Sequence, residues 1–162
     1  MIITYTPMEV NHVKSAVAFF IGLREEGATV SFTQLGTEAL ALESLLDHQN
    51  HYFIALEGNE VIGMLRARQG TGNQDHAALL TIGIAVSKRG KGHTSGLIDY
   101  AMEQIKARGI SLARAYVYSD NRASIATVLS AGFTLSGCVY QHHRDLETGE
   151  MVDDLIFHRE LS

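Results

Sequence analysis

The chain has one cysteine, one proline and no tryptophan among its 162 residues. A lone cysteine, Cys138, closes no internal disulfide, and no thiol or histidine spacing around it makes a zinc site. It reads as a small buried apolar residue. With Pro7 the only proline, no proline-rich linker divides the chain, and no repeat or low-complexity tract is visible, so a single domain over residues 1–162 is expected. No run of 18 apolar residues is present, which leaves no candidate for a membrane-spanning helix. The start, Met1-Ile2-Ile3-Thr4-Tyr5-Thr6-Pro7, lacks a basic region, a long apolar run and a small-residue cleavage site, so a cytoplasmic location is expected. Positive charge is also short: 13 Lys and Arg stand against 18 Asp and Glu, a net charge of −5. That balance argues against a protein that neutralises phosphates over a broad surface, and neither nucleic acid nor membrane is expected as a partner.

What is present is ordered by period. Val10, Val13, Val17, Phe20 and Ile21 recur at helical spacing, as do Leu35, Ala39, Leu42, Leu45 and Leu46. The connection between these helices, residues 25–32, is too long for a tight turn and is a natural place for substrate contacts. Strand-like runs follow over residues 51–57 and 60–68, joined by Gly58-Asn59, and a third covers residues 77–86 after a turn-rich stretch. Next come a helix with Leu97, Ile98, Ala101, Met102 and Ile105 on one stripe, a strand over 110–118, a helix beginning near Asn121, and a closing hairpin over 133–143 and 151–159. The order reads as a mixed α/β sheet with flanking helices.

The basic residues Lys88, Arg89 and Lys91 are concentrated in one segment, Ala85-Val86-Ser87-Lys88-Arg89-Gly90-Lys91-Gly92-His93-Thr94-Ser95-Gly96. A strand runs into a glycine-rich loop that opens a helix, which aims several backbone N–H groups and a positive helix end at one spot suited to a pyrophosphate. A Walker loop fails here, because Ala85 stands where its first glycine belongs and Gly92 where its Ser or Thr belongs. A dinucleotide fingerprint fails at Ser95 and would open a parallel βα unit rather than follow an antiparallel meander.

The segment Arg89-Gly90-Lys91-Gly92-His93-Thr94 resembles the R/Q-x-x-G-x-G/A loop of the GNAT acetyltransferases, with Thr94 at the final Gly/Ala position. Asn121-Arg122-Ala123-Ser124-Ile125-Ala126 followed by Ala131-Gly132-Phe133 is similar to that family's N-x-x-A/S-I and G-F segment, and the hairpin around Asp153-Asp154-Leu155 to its usual close. The resemblance implies the GNAT acyl-CoA N-acyltransferase fold: a mixed, mostly antiparallel sheet with a splayed central strand pair flanked by helices. It implies acetyl-CoA as co-substrate, no metal, and transfer of acetyl to an amine of a small molecule or peptide. A non-catalytic acyl-CoA-binding module is the alternative.

For the site, the resemblance implies that backbone amides of Arg89, Gly90, Lys91, Gly92, His93 and Thr94 hold the pyrophosphate. Backbone groups of Ile84 and Val86 pair with the pantetheine arm, Asn121 and Ser124 lie on the arm's other side, and Ile84 N–H, or a neighbour at a bulge there, stabilises the oxyanion. A homodimer through the final strands, with apolar Leu155, Ile156 and Phe157, is also expected.

Two departures stand out. Only Ser87 and Lys88 separate Val86 from Arg89, where relatives have about four residues, so either the loop is tighter or the strand register slips. Val128 occupies the position where many relatives carry a Tyr that protonates the departing thiolate; a thiol of pKa about 8.5 leaves with modest help. The base that deprotonates the amine is open among Glu25, Glu26, His76 and Tyr118, with Glu26 and Tyr118 taken as catalytic candidates. His142 and His143, adjacent on a strand, are expected to point to opposite faces and to be surface residues.

Overall fold

A computed structural model describes residues 2–28 and 31–162. The interhelical connection is thus described at Glu25 and Glu26, while Thr29 and Val30 lie outside the described residues. Seven strands and four helices follow in the order β1 (Ile3–Pro7), α1 (Val13–Glu25), α2 (Glu38–Leu46), β2 (Asn50–Glu57), β3 (Glu60–Gln69), β4 (Ala77–Ile84), α3 (His93–Ala107), β5 (Leu112–Tyr118), α4 (Arg122–Ser130), β6 (Thr134–Arg144) and β7 (Met151–Glu160). Among the described residues no helix is long and apolar enough to cross a membrane.

The strands form one sheet in the order β1-β2-β3-β4-β5-β7-β6, antiparallel throughout except for β4 beside β5. The expected mixed, mostly antiparallel sheet is therefore present. Two apolar layers clamp it. α3 and α4 pack one face through Leu97, Ile105 and Val128 against Phe53, Leu65 and Phe157. On the other face α1 places Phe20 and Leu23 with Phe32 against Ile54 and Met64. Burying each such side chain stabilises the fold by about 1.5–3 kcal/mol, which makes these layers the frame that holds everything else. α3 crosses β1 so closely that a Cβ on Gly96 would stand 2.2 Å from Tyr5 Oη, so only glycine lets the helix start settle there.

The strand pair β4 and β5 is short of a full ladder. Parallel pairing runs only from Ala77↔Leu112 to Leu80↔Ala115. Beyond it β4 stays with β3 as far as Ile84, and β5 stays with β7 as far as Tyr118. Each outer neighbour pulls its strand away, and the right-handed twist of the sheet widens the divergence into a gap.

β6 corrects two sequence expectations. As an edge strand it has a single neighbour and is exposed along nearly its whole length, so Cys138 is exposed rather than buried. Crowding by the hairpin and, after it, the Asp153 carboxylate push the Cys138 thiol up. Since the thiolate is the reactive form, Cys138 should react more slowly with a disulfide reagent near pH 8 than free cysteine does; equal rates would contradict this environment.

The second correction concerns the histidines. Val139 pairs with Asp154 but His143 with Val152, so four steps on β6 match two on β7. The extra backbone turns through Gln141 at φ 49, whose N–H donates to Asp153 Oδ1 at 2.7 Å. This bulge breaks strand alternation, and His142 and His143 both come to the Tyr118 ring, at centroid distances of 6.4 and 4.5 Å.

Candidate functional site

The site begins where β4 ends. Gly70 N–H donates to Ala77 O at 2.9 Å and Ala85 N–H to Ile62 O at 2.8 Å, so the odd-numbered residues of this strand turn their backbone groups to β3. Alternation then turns the even-numbered Ile82 and Ile84 toward β5, into the gap where β4–β5 pairing has stopped. A row of strand N–H and C=O groups thus faces an opening, as an edge strand would, with Ile84 O already accepting from Arg89 Nε.

This geometry settles the spacing question in favour of a register slip. β4 stops at Ile84, and Val86 lies past it in a single 3-10 turn of Val86–Lys88, with Val86 O accepting from Arg89 N–H at 3.3 Å. Val86 is therefore not the strand residue expected from sequence; its place is taken by Ile84, with four residues between it and Arg89, and Ile82 joins it. Nor is there a bulge at Ile84, because β3 and β4 pair without a register shift. Divergence from β5 exposes these groups instead.

Beyond the 3-10 turn, Gly90 and Gly92 adopt φ +75° and +82°, and no atom lies within 4 Å of where a Cβ would stand on either. Gly92 is the N-cap of α3, whose first turn receives no side-chain cap. The N–H groups of the loop and of His93 and Thr94 therefore converge on open space at a positive helix end, an arrangement that fits a pyrophosphate.

Two of the three basic side chains are engaged within the protein. Lys88 Nζ lies 2.5 Å from Glu57 Oε2, and this hydrogen bond, with the charge of Lys88, holds the Glu57 carboxyl below its usual range. The Arg89 guanidinium is bonded to Glu26, and its Nε donates to Ile84 O at 3.1 Å. Of the three cations, only Lys91 lacks an ion pair among the described residues. An anion placed here would meet mainly backbone N–H groups.

Glu25, Glu26 and Val86 line one groove of ≈ 500 Å³, with Ser15, Phe19 and Gly22 of α1. Tyr118 stands apart from them on β5, 41% exposed; Ala115 and Val117 pack into the α3/α4 core, so Tyr116 and Tyr118 face the α1/α2 side. Continuing the β4–β5 register would set Tyr118 opposite Gly83 across the gap. His76 precedes β4 at its far end, roughly 25 Å along the strand from Ile84, and is removed from the candidates for a base. Asn121 caps α4, its Oδ1 accepting from Ser124 N–H at 3.1 Å, which places both at the end of the β5–α4 turn beside the gap. Val128 is 8% exposed within the α3/α4 core. Missed from sequence were Ile82 and the histidines beside Tyr118, since strand ends and bulges depend on partners distant in the chain.

A family model described as Acetyltransferase (GNAT) family matches residues 18–133. Comparison with curated proteins gives no sequence match. Among solved structures, an N-acetyltransferase from Staphylococcus aureus Mu50 superposes with TM-score 0.83 at 17% identity, with 100% of both chains covered. A GNAT superfamily phosphinothricin acetyltransferase from Sinorhizobium meliloti, in complex with AcCoA, gives TM-score 0.79 at 20% identity, covering 100% of this chain and 90% of that one. The ribosomal-protein-S5-alanine acetyltransferase of Vibrio fischeri gives 0.81 at 16% identity, covering 99% and 93%. The splayed strand pair, the glycine-rich helix start and the family match over most of the chain lead to one conclusion: this protein belongs to the GNAT family of acetyltransferases.

Proposed function

We propose that the protein transfers acetyl from acetyl-CoA to a primary amine of a small molecule or peptide, by direct attack while both are bound. The observation that carries this reading is the row of Ile82 and Ile84 backbone groups facing the β4–β5 gap, continuous with the N–H groups at the start of α3. Loop amides from Gly90 to Thr94 hold the pyrophosphate, since Arg89 N–H already donates to Val86 O; Ile82 and Ile84 pair with the pantetheine arm, and Asn121 and Ser124 border it from α4. Ile84 N–H donates to the thioester oxygen as it gains charge, a contact worth most in a site closed to water.

Turnover with a panel of amines tests the proposal. It includes phosphinothricin, which the name of one neighbour gives, and an alanine-bearing peptide, chosen because another is a ribosomal-protein-S5-alanine acetyltransferase. Acetyl-CoA binding without acetylation of any amine would return the protein to the binding-module reading.

The Glu26–Arg89 pair gives a separate expectation. Glu26 is held by Arg89, which makes it a competitor for the cation that a phosphate would attract. An exposed pair of this kind is worth about 0.2–1 kcal/mol, so Glu26→Gln should tighten acetyl-CoA binding about 1.5- to 5-fold, and Arg89→Ala should weaken it by no more than a similar factor. Calorimetry checks both; weaker binding in Glu26→Gln would contradict the competition.

We also propose a homodimer through the final strands, by way of the β6 edge rather than Leu155 and Phe157. Phe157 is buried and Leu155 packs into the core, whereas β6 leaves its edge open and exposes Leu135, Val139 and Tyr140. Such an edge is a template for strand pairing. A concentration-independent monomer mass in light scattering would exclude it.

A further inference from the structure

We propose that His143 is the base that takes the proton from the acceptor amine, and that Asp154 is the residue that positions it. The inference rests on the acetyl transfer to an amine proposed above and names a group that reading lacks.

Three observations meet at this place. First, the bulge in β6 restores the face of His143 to that of Val139 and Asp154, because Val139↔Asp154 and His143↔Val152 are same-face pairs on β7. Its ring lies 4.5 Å from that of Tyr118, and Tyr118 itself pairs with Asp154. Second, Asp154 is the one charged residue buried among those described, 8% exposed, and its Oδ1 has no hydrogen-bond partner. Third, His143 Nδ1 is also buried without a partner. An unpaired buried polar atom is destabilising, and a charged one more so, so two at diagonal positions on one sheet face call for an explanation. Diagonal neighbours on adjacent strands are within reach of long side chains. A small torsional change lets Asp154 accept from His143 Nδ1–H, which satisfies both atoms and leaves Nε2 as the proton acceptor.

The location suits the chemistry. Tyr118 ends β5 past the last β4–β5 pair, on the α1/α2 side of the gap into which Ile84 N–H points. The other candidates are less suited: Glu26 is bound to Arg89, and a phenol carries a proton of its own that it must first lose. A neutral imidazole accepts at one ring nitrogen while the other donates, which suits it to the task. The titratable and charged groups around His143 are Tyr118 on β5, Asp153 and Asp154 on β7, and His142 and Arg144 on its own strand; Asp153 is occupied by Gln141 N–H, and His142 is exposed. In the reaction the ammonium gives one proton to His143 Nε2, and the freed lone pair bonds to the thioester carbon. The C–S bond then breaks with its electron pair on sulfur, and the remaining excess proton of the new amide nitrogen passes to the thiolate. His143 returns its proton to solvent.

The test is kcat/KM for an amine substrate of the parent chain between about pH 5 and 9, together with acetyl-CoA affinity. His143→Gln should lower kcat on the order of 10²-fold and abolish the acid limb, with acetyl-CoA affinity unchanged. Asp154→Asn, nearly isosteric, should move that limb to lower pH, because the carboxylate no longer favours the charged ring; this outcome decides the matter if His143→Gln fails to fold. His142→Gln should keep the limb. Turnover in the parent with the limb unaltered in both His143→Gln and Asp154→Asn overturns this inference alone. No turnover of any amine by the parent overturns it together with the reading it rests on.

Discussion

Gly92→Val should weaken acetyl-CoA binding by about 10- to 10²-fold without unfolding the protein. Gly92 caps α3 at φ +82°, a region that β-branched residues scarcely enter. Holding valine there costs about 1–3 kcal/mol, and relaxing to negative φ rotates the peptide planes on either side, so that the loop N–H groups no longer converge. At about 1.4 kcal/mol per decade that strain corresponds to the stated loss. No atom lies within 4 Å of a Cβ at this position, so the defect is conformational and stability should change little beyond the strain itself. Gly92→Asn separates the two causes, because Asn tolerates the left-handed region while filling comparable space. Calorimetry should find Asn near the parent and Val far from it. Equal affinity of all three would show that the loop does not hold the pyrophosphate.

Val128→Tyr should destabilise the protein rather than restore a missing acid. Val128 packs in the α3/α4 core, and its carbonyl accepts from Phe133 N–H at 3.0 Å, so the α4 end is tied down around it. Overfilling a packed core costs about 1–3 kcal/mol, which for a domain of this size lowers Tm by about 2–4 °C per kcal/mol. Turnover should not rise, since a ring forced into that space displaces its neighbours instead of standing at the thioester. Unassisted departure of the thiolate needs no phenol, so Tyr118→Phe should lower kcat less than about tenfold. Unchanged Tm with faster turnover in Val128→Tyr would sink the packing argument. A loss on the order of 10² in Tyr118→Phe, with acetyl-CoA affinity intact, would make Tyr118 the acid.

The contrast between these two positions shows how far the residues could be read in advance. The glycine loop was legible because everything it needs is local: Gly90 and Gly92 at positive φ, a helix starting at His93, and a strand just before. Asn121 as a cap and Gly132 as a stop are local in the same way. At Val128 the family pattern identified the position, but burial depends on β5, β7 and α3, which arrive from other parts of the chain. The Glu26–Arg89 pair, 63 residues apart in sequence, was similarly hidden, and with it the fact that two of three loop cations are already spoken for.

The sequence by itself determined the element order, the mixed sheet and the glycine-rich loop that opens α3, since these follow from periodicity and from backbone preferences acting within a few residues. Only the tertiary structure decided where β4 lets go of β5, that β7 inserts between β5 and β6, and that a bulge brings His142 and His143 together at Tyr118. Each of these is a competition between strands for hydrogen-bond partners. The outcome depends on which ladder gains more by closing, and that balance is struck between segments whose separation in the chain carries no local mark.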